Sequence, residues 1–158
     1  MEKLLVNPIG LIENTEDAVC IRLEEKYAVG LRGLSGYSHV QVVWWMDGCD
    51  NESDRSILVE SKPYRHGSDE LGVFALRSPE RPNPIAISNA RILAVDEGAG
   101  LVRLAWIDAR NGSPVLDLKP YTPSIDRVRQ ASTPDWCRHW PQWVEDSGSF
   151  NWADEFNF

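Results

Sequence analysis

A chain of 158 residues, 42% hydrophobic and 25% charged, has the length and balance of one soluble domain with a real core. Its formal net charge of −8 excludes a protein that grips nucleic acid through a broad basic surface, and no apolar run approaches the roughly 18–20 residues that cross a bilayer. Cys20, Cys49 and Cys137 are odd in number, scattered and outside metal-ligand spacing, so the expectation is a reduced, cytoplasmic protein without a metal. The charge is unevenly placed: Lys62 to Arg91 carries +2, and Asp135 to the C-terminus carries −4.

Leu4 to Ile12 is predicted as a first strand, bent by Pro8 and Gly10. Asp17 to Glu25 alternates, with Val19, Ile21 and Leu23 on one face and Cys20, Arg22 and Glu24 on the other. Lys26 to Gly36 is punctuated by glycines and predicts a short helix or turn. Ser38 to Asp47 is the strongest strand; its apolar residues become continuous, which predicts burial on both sides. Gly48 to Arg55 is loop-like, Ser56 to Glu60 a short strand, and Lys62 to Glu70 a flexible loop.

The stretch Gly72 to Ile87 follows, in which Pro79, Pro82 and Pro84 punctuate Arg77 and Arg81 between two apolar runs. Each proline fixes its own φ and biases the residue before it toward extended backbone, so the loop is stiff. Its arginines are either pre-aimed forks for carboxylate or phosphate, or solvated residues of a crossover. Pro84 to Val95 is a further strand, Asp96 to Gly100 a hairpin turn, and Leu101 to Ile107 a strand with Val102, Leu104 and Trp106 on one face. Asn111-Gly112 marks a tight reversal, and Val115 to Leu118 is a last strand.

Many short strands with almost no helical periodicity predict an all-β fold, a single β-barrel closed or nearly so. Residues 1–130 make the barrel domain, and 131–158 make a short helical, aromatic C-terminal tail. In that tail Trp136, Trp140 and Trp143 stand at helical spacing, predicting a short helix from about Pro134 to Val144. With Trp152, Phe150, Phe156 and Phe158 they form an aromatic group that packs across the barrel or a partner subunit, or offers a platform for bases.

Gly72-Val73-Phe74-Ala75-Leu76-Arg77-Ser78-Pro79 with Arg81-Pro82-Asn83-Pro84-Ile85, preceded by Gly36-Tyr37-Ser38-His39-Val40, resembles the TrmO/TsaA (YaeB-like) family. Gly112 to Tyr121 continues the resemblance, which covers most of residues 6–125. The resemblance implies a dimeric β-barrel methyltransferase that uses S-adenosylmethionine. Its implied substrate is N6 of the threonylcarbamoyl-modified adenosine beside the anticodon of tRNA.

Carried over by position, cofactor contacts fall on Asp47, Gly48, Arg77, Ile87 and the loop Ala109-Arg110-Asn111-Gly112. Arg77 would pair the cofactor carboxylate, and the loop backbone would meet the adenine edge. Asp47 stands where the family has histidine; an acid there pairs the cofactor ammonium, or the contact is lost. Glu13-Asn14-Thr15-Glu16-Asp17, a short acidic turn, replaces an arginine- and proline-containing cofactor loop, and the tryptophan tail replaces a second domain.

Asp117, Lys119 and Tyr121 alternate along the last strand and so share one face. They can serve as base, electrostatic stabiliser and hydrogen-bond partner for the poorly nucleophilic N6, or form a solvated face with an ordinary ion pair. Arg81 and Asn83 are the candidates for tRNA contact, with Asn83 also suited simply to shaping the turn. A methyltransferase acting on a small molecule and a non-catalytic cofactor-binding module are the alternatives.

Overall fold

The structure is a computed structural model that describes residues 4–16 and 18–157. Eight strands follow in order: β1 Gly10–Asn14, β2 Val19–Leu23, β3 His39–Trp45, β4 Val59–Ser61, β5 Glu70–Gly72, β6 Ile85–Asp96, β7 Leu101–Leu104 and β8 Pro114–Pro120. Six close into a barrel in the order β1-β2-β7-β6-β3-β8, every neighbouring pair antiparallel. Strands β4 and β5 pair separately as a hairpin outside it.

The barrel interior is the inward half of each alternating strand. Ile12, Ile21, Val40, Val42, Val102 and Val115 are fully buried, each worth about 1.5–3 kcal/mol relative to exposure. Leu31 and Leu34, from 3₁₀ turns at Glu25–Leu31 and Leu34–Gly36, join this core, as do Ile107 and Ala109. Closure depends on Gly10, which pairs with both Leu23 and Val115. A Cβ there would collide with the Arg22 carbonyl, so the β1–β2 contact admits only glycine.

Several elements depart from their sequence-based prediction. Leu4 to Pro8 is exposed and β1 begins only at Gly10, because Pro8 has no amide for a ladder. Strand β3 is not buried on both sides: Val40, Val42 and Trp44 point inward, while His39, Gln41, Val43 and Trp45 are half-buried on the outer wall. Continuous hydrophobicity does not mean double burial here. Strand β7 stops at Leu104; Trp106 is 67% exposed and Ile107 takes the place in the core. A short helix, α1 Glu52–Ser56, spans the predicted loop and the start of the predicted 56–60 strand, and β4 begins only at Val59; the helix is capped by Asn51, whose Oδ1 accepts the Asp54 amide at 3.0 Å.

The tail forms no helix over 134–144. A 3₁₀ turn at Asp135–Cys137 and a single turn, α3 Val144–Ser147, stand on either side of Pro141. Proline denies the helix an amide and disfavours helical backbone at Trp140. The Trp140 and Trp152 indoles donate within the tail, to Glu155 Oε2 and Ser147 O, and the tail backbone is tied to the 62–66 turn between β4 and β5. The Arg65 amide donates to Glu155 O at 2.9 Å and its guanidinium to Phe156 O and Ala153 O, while Tyr64 stacks on Trp136. Asp17 of the acidic turn and Phe158 of the tail lie outside the described residues.

Candidate functional site

The register of β6, β3 and β8 arranges the outer wall in rows. Ile87, Val43 and Asp117 form one, Asn89, Gln41 and Lys119 the next. Arg91 and His39 form the third with Tyr121, whose amide donates to His39 O at 3.1 Å. Asp117, Lys119 and Tyr121 thus share one outward face, as their alternation requires, and Ile87 stands on the same face two strands away.

Asp117 is held from two sides. Its Oδ1 accepts the Leu118 amide at 2.9 Å and its Oδ2 the Lys119 ammonium at 2.7 Å. The hydrogen bond it donates to Asp117 pushes the Lys119 ammonium above its ordinary range, so Lys119 stays a cation at neutral pH and is no base. Gln41 donates to Asn89 Oδ1 at 3.3 Å, and the His39 and Tyr121 rings meet edge-on at 6.3 Å. Above this polar half, Ile87 is 50% and Ile85 36% exposed, a shallow apolar ledge beside Val43 and Trp45. Val43 and Gln41, which complete the rows, were not singled out from sequence; strict alternation about the buried Val42 was the signal for both.

Loops meet at the rim above the ledge. Gly48 adopts a left-handed backbone (φ 88°), and the Nη1 of Arg110 lies 3.1 Å from where a Cβ would stand. Asp47 and Gly48 are therefore neighbours of the 109–112 loop. That loop is knitted to β1: Asn14 Nδ2 donates to Ala109 O at 2.8 Å, and Asn111 Oδ1 accepts the Asn14 amide at 3.0 Å. Gly112, left-handed at φ 85°, donates its amide to Ile12 O at 2.7 Å. The amides of Arg110 and Asn111 donate to no described residue and remain free for an acceptor. Burial, then the carboxylates of Glu80 and Asp54, push the Cys49 thiol up, which makes it a poor nucleophile.

Two arginines of the proline-rich stretch have different situations. Arg77 is exposed, with no hydrogen bond or ion pair to any described residue, and lies within electrostatic reach of Tyr64. Arg81 turns inward: Nε donates to Ser78 O at 2.7 Å, and Nη2 to Val73 O at 2.8 Å and Leu76 O at 2.6 Å. It staples the stretch into shape. Asn83 accepts from Arg55 Nη2 at 3.3 Å, tying the stretch to α1.

The family model for the tRNA-methyltransferase O N-terminal domain matches residues 7–127. The chain belongs to this family. An S-adenosyl-L-methionine-binding protein of Archaeoglobus fulgidus is 35% identical over 141 residues, covering 80% of this chain and 96% of that protein. A tRNA (adenine(37)-N6)-methyltransferase of Homo sapiens is 30% identical over 150 residues, covering 83% of this chain and 33% of that protein. Among solved structures, TrmO from Pseudomonas aeruginosa superimposes with a TM-score of 0.64 at 29% identity, over 83% of this chain and 61% of that one. The chain therefore spans about three-fifths of that solved TrmO chain. Among the described residues, no helix is long and apolar enough to cross a membrane, and no three His, Cys, Asp or Glu gather as metal ligands.

Proposed function

We propose that this chain methylates N6 of the threonylcarbamoyl-modified adenosine beside the anticodon of tRNA, using S-adenosylmethionine and acting as a homodimer in the cytoplasm. One observation carries the reading. The row Ile87, Val43 and Asp117 joins a candidate cofactor residue to the candidate catalytic face in a TrmO-family chain.

The residues present suit the cofactor's chemistry. Arg77 and Asp47 are exposed, and neither makes a hydrogen bond or ion pair to a described residue. A guanidinium and a carboxylate in that state match a carboxylate and an ammonium. The free amides of Arg110 and Asn111 suit acceptors on a heterocycle, and Ile87 offers apolar area for a ribose or base. Bound to these groups, S-adenosylmethionine supplies a methyl group on an electrophilic sulfonium.

The chain's own residues handle the nucleophile. Asp117, oriented by the Leu118 amide and Lys119, accepts the N6 proton. The Lys119 cation stabilises the negative charge that develops on the carbamoylated nitrogen. Tyr121, packed edge-on to His39, offers a phenol to the substrate at the end of the row. Alignment and exclusion of water complete the task.

The net charge of −8 favours a second reading, methylation of a small molecule. Calorimetric titration with S-adenosylmethionine, followed by incubation of labelled cofactor with modified tRNA, separates the two. Binding with label in RNA is the expected result; binding without label in RNA contradicts the proposal and supports the second reading. Sedimentation of the protein as a monomer would contradict the dimer alone.

A further inference from the structure

Beyond Tyr121 the chain turns through α2 Pro123–Asp126 and passes the outer wall of the barrel again. Between this returning segment and His39, Asn89 and Tyr121 runs an open groove of about 770 Å³. That volume lies within the roughly 300–1,000 Å³ of small-ligand sites. The groove's tail side carries Arg127, Arg129 and Trp143.

Two observations distinguish the groove. Trp136, Trp140 and Trp152 are half-buried in the ring cluster around Tyr64 and Phe156. Trp143 is 57% exposed instead, and its contact is with Arg127, whose guanidinium lies 5.3 Å from the ring centroid. The second observation is charge. Arg127, Arg129 and, beside His39, Arg91 make no ion pair or side-chain hydrogen bond to any described residue. The groove's carboxylates are Asp126, which accepts the Thr122 amide at 2.6 Å, and Glu145; neither pairs with these arginines. Two guanidinia without ion pairs, Arg127 over the ring and Arg129, therefore line the groove with an exposed indole on a chain whose net charge is −8.

We propose that this groove takes single-stranded RNA, with an unpaired base stacked on Trp143 and adjoining phosphates on Arg127 and Arg129. An aromatic face beside unpaired arginines is the composition that holds strands: rings stack on any base, and guanidinium forks meet phosphate oxygens. The inference rests on the RNA reading above and extends it. Tyr121 lines the groove, so a strand lying in it places its next nucleotide along β8, beside Lys119 and Asp117. The tail is then a grip on the strand beside the target.

The test uses the full chain, Trp143→Ala, Trp143→Phe and the double variant Arg127→Ala/Arg129→Ala. The probe is an anticodon stem-loop RNA carrying threonylcarbamoyladenosine, followed by fluorescence anisotropy over a range of salt. Trp143→Ala is expected to weaken RNA binding about ten- to a hundredfold, while Trp143→Phe, which keeps a ring, stays near wild type. The double variant lowers the slope of log K against log salt by about 1 to 1.5. Cofactor affinity and sedimentation stay as in wild type. RNA affinity equal to wild type in Trp143→Ala and in the double variant overturns the groove proposal while leaving the RNA reading intact. If the wild-type chain itself binds no RNA, both fall. A changed sedimentation coefficient in Trp143→Ala with RNA affinity intact marks the groove as a contact between copies and also overturns it.

Discussion

Ile87 and Asp117 face Val43 from opposite sides, on β6 and β8, so the apolar ledge and the carboxylate share one row of the outer wall. Asp117→Asn keeps the shape of that row and removes the proton acceptor. It is expected to lower the methyl-transfer rate about 10²–10⁴-fold and to leave cofactor affinity unchanged. Single-turnover kinetics beside calorimetry measures both, and a rate within twofold of wild type would remove Asp117 from the mechanism.

Lys119→Met tests the cation in the next row, on the same face of β8. Loss of one preorganised charge at the reacting centre lowers the rate about 10²–10³-fold. Because Lys119 is held protonated by Asp117, it contributes no basic limb to the neutral range of the wild-type pH profile. A neutral-range limb present in wild type and lost in Lys119→Met would mean that Lys119 titrates during the reaction.

Arg77→Ala removes a guanidinium that has no structural hydrogen bond to lose. Cofactor affinity should fall by about 1.5–3 kcal/mol, roughly ten- to a hundredfold. Thermal stability should hardly change. A normal cofactor Kd would contradict its assignment to the carboxylate.

Arg81→Ala has the opposite profile. Three backbone carbonyls lose their donor, and the expected cost is about 2–3 kcal/mol of stability. Denaturant unfolding reads this directly. A variant as stable as wild type would show that the prolines alone hold the stretch.

The tail clasp has a pH dependence of definite sign. Glu155 is buried, and hydrogen bonds from His139, at 2.6 Å, and Trp140, at 2.9 Å, hold its carboxyl below the usual range. A lowered folded value means the contribution is fully present above the unfolded value of about 4.3 and is lost as pH falls through the folded value. Tail docking, followed by tryptophan fluorescence and limited proteolysis, should therefore persist through mildly acidic pH and fail below it. Glu155→Gln should loosen the tail at neutral pH and flatten that acid transition.

The barrel was legible because its cause is local: alternation at Val19–Leu23 and Leu101–Leu104 dictates which side faces inward. The shared face of Asp117, Lys119 and Tyr121 followed from the same period of two. What alternation does not contain is the register between strands, which alone sets Ile87 beside Val43 and Val43 beside Asp117. Nor does it reveal how Arg81 turns back onto Val73, Leu76 and Ser78; free and satisfied arginines look alike in a sequence. The tail's helical spacing of tryptophans misled for a physical reason, since Pro141 breaks the segment and Tyr64, Arg65 and Glu155 organise it through tertiary contacts instead.

The proposed reaction is tested most directly by incubating the protein with methyl-labelled S-adenosylmethionine and tRNA that carries or lacks the threonylcarbamoyl group, then separating the nucleosides after digestion. Label in the N6-methylated threonylcarbamoyladenosine, and only in the tRNA that carried the carbamoyl group, is the predicted result. Cofactor bound by the protein with no label in any nucleoside would contradict it.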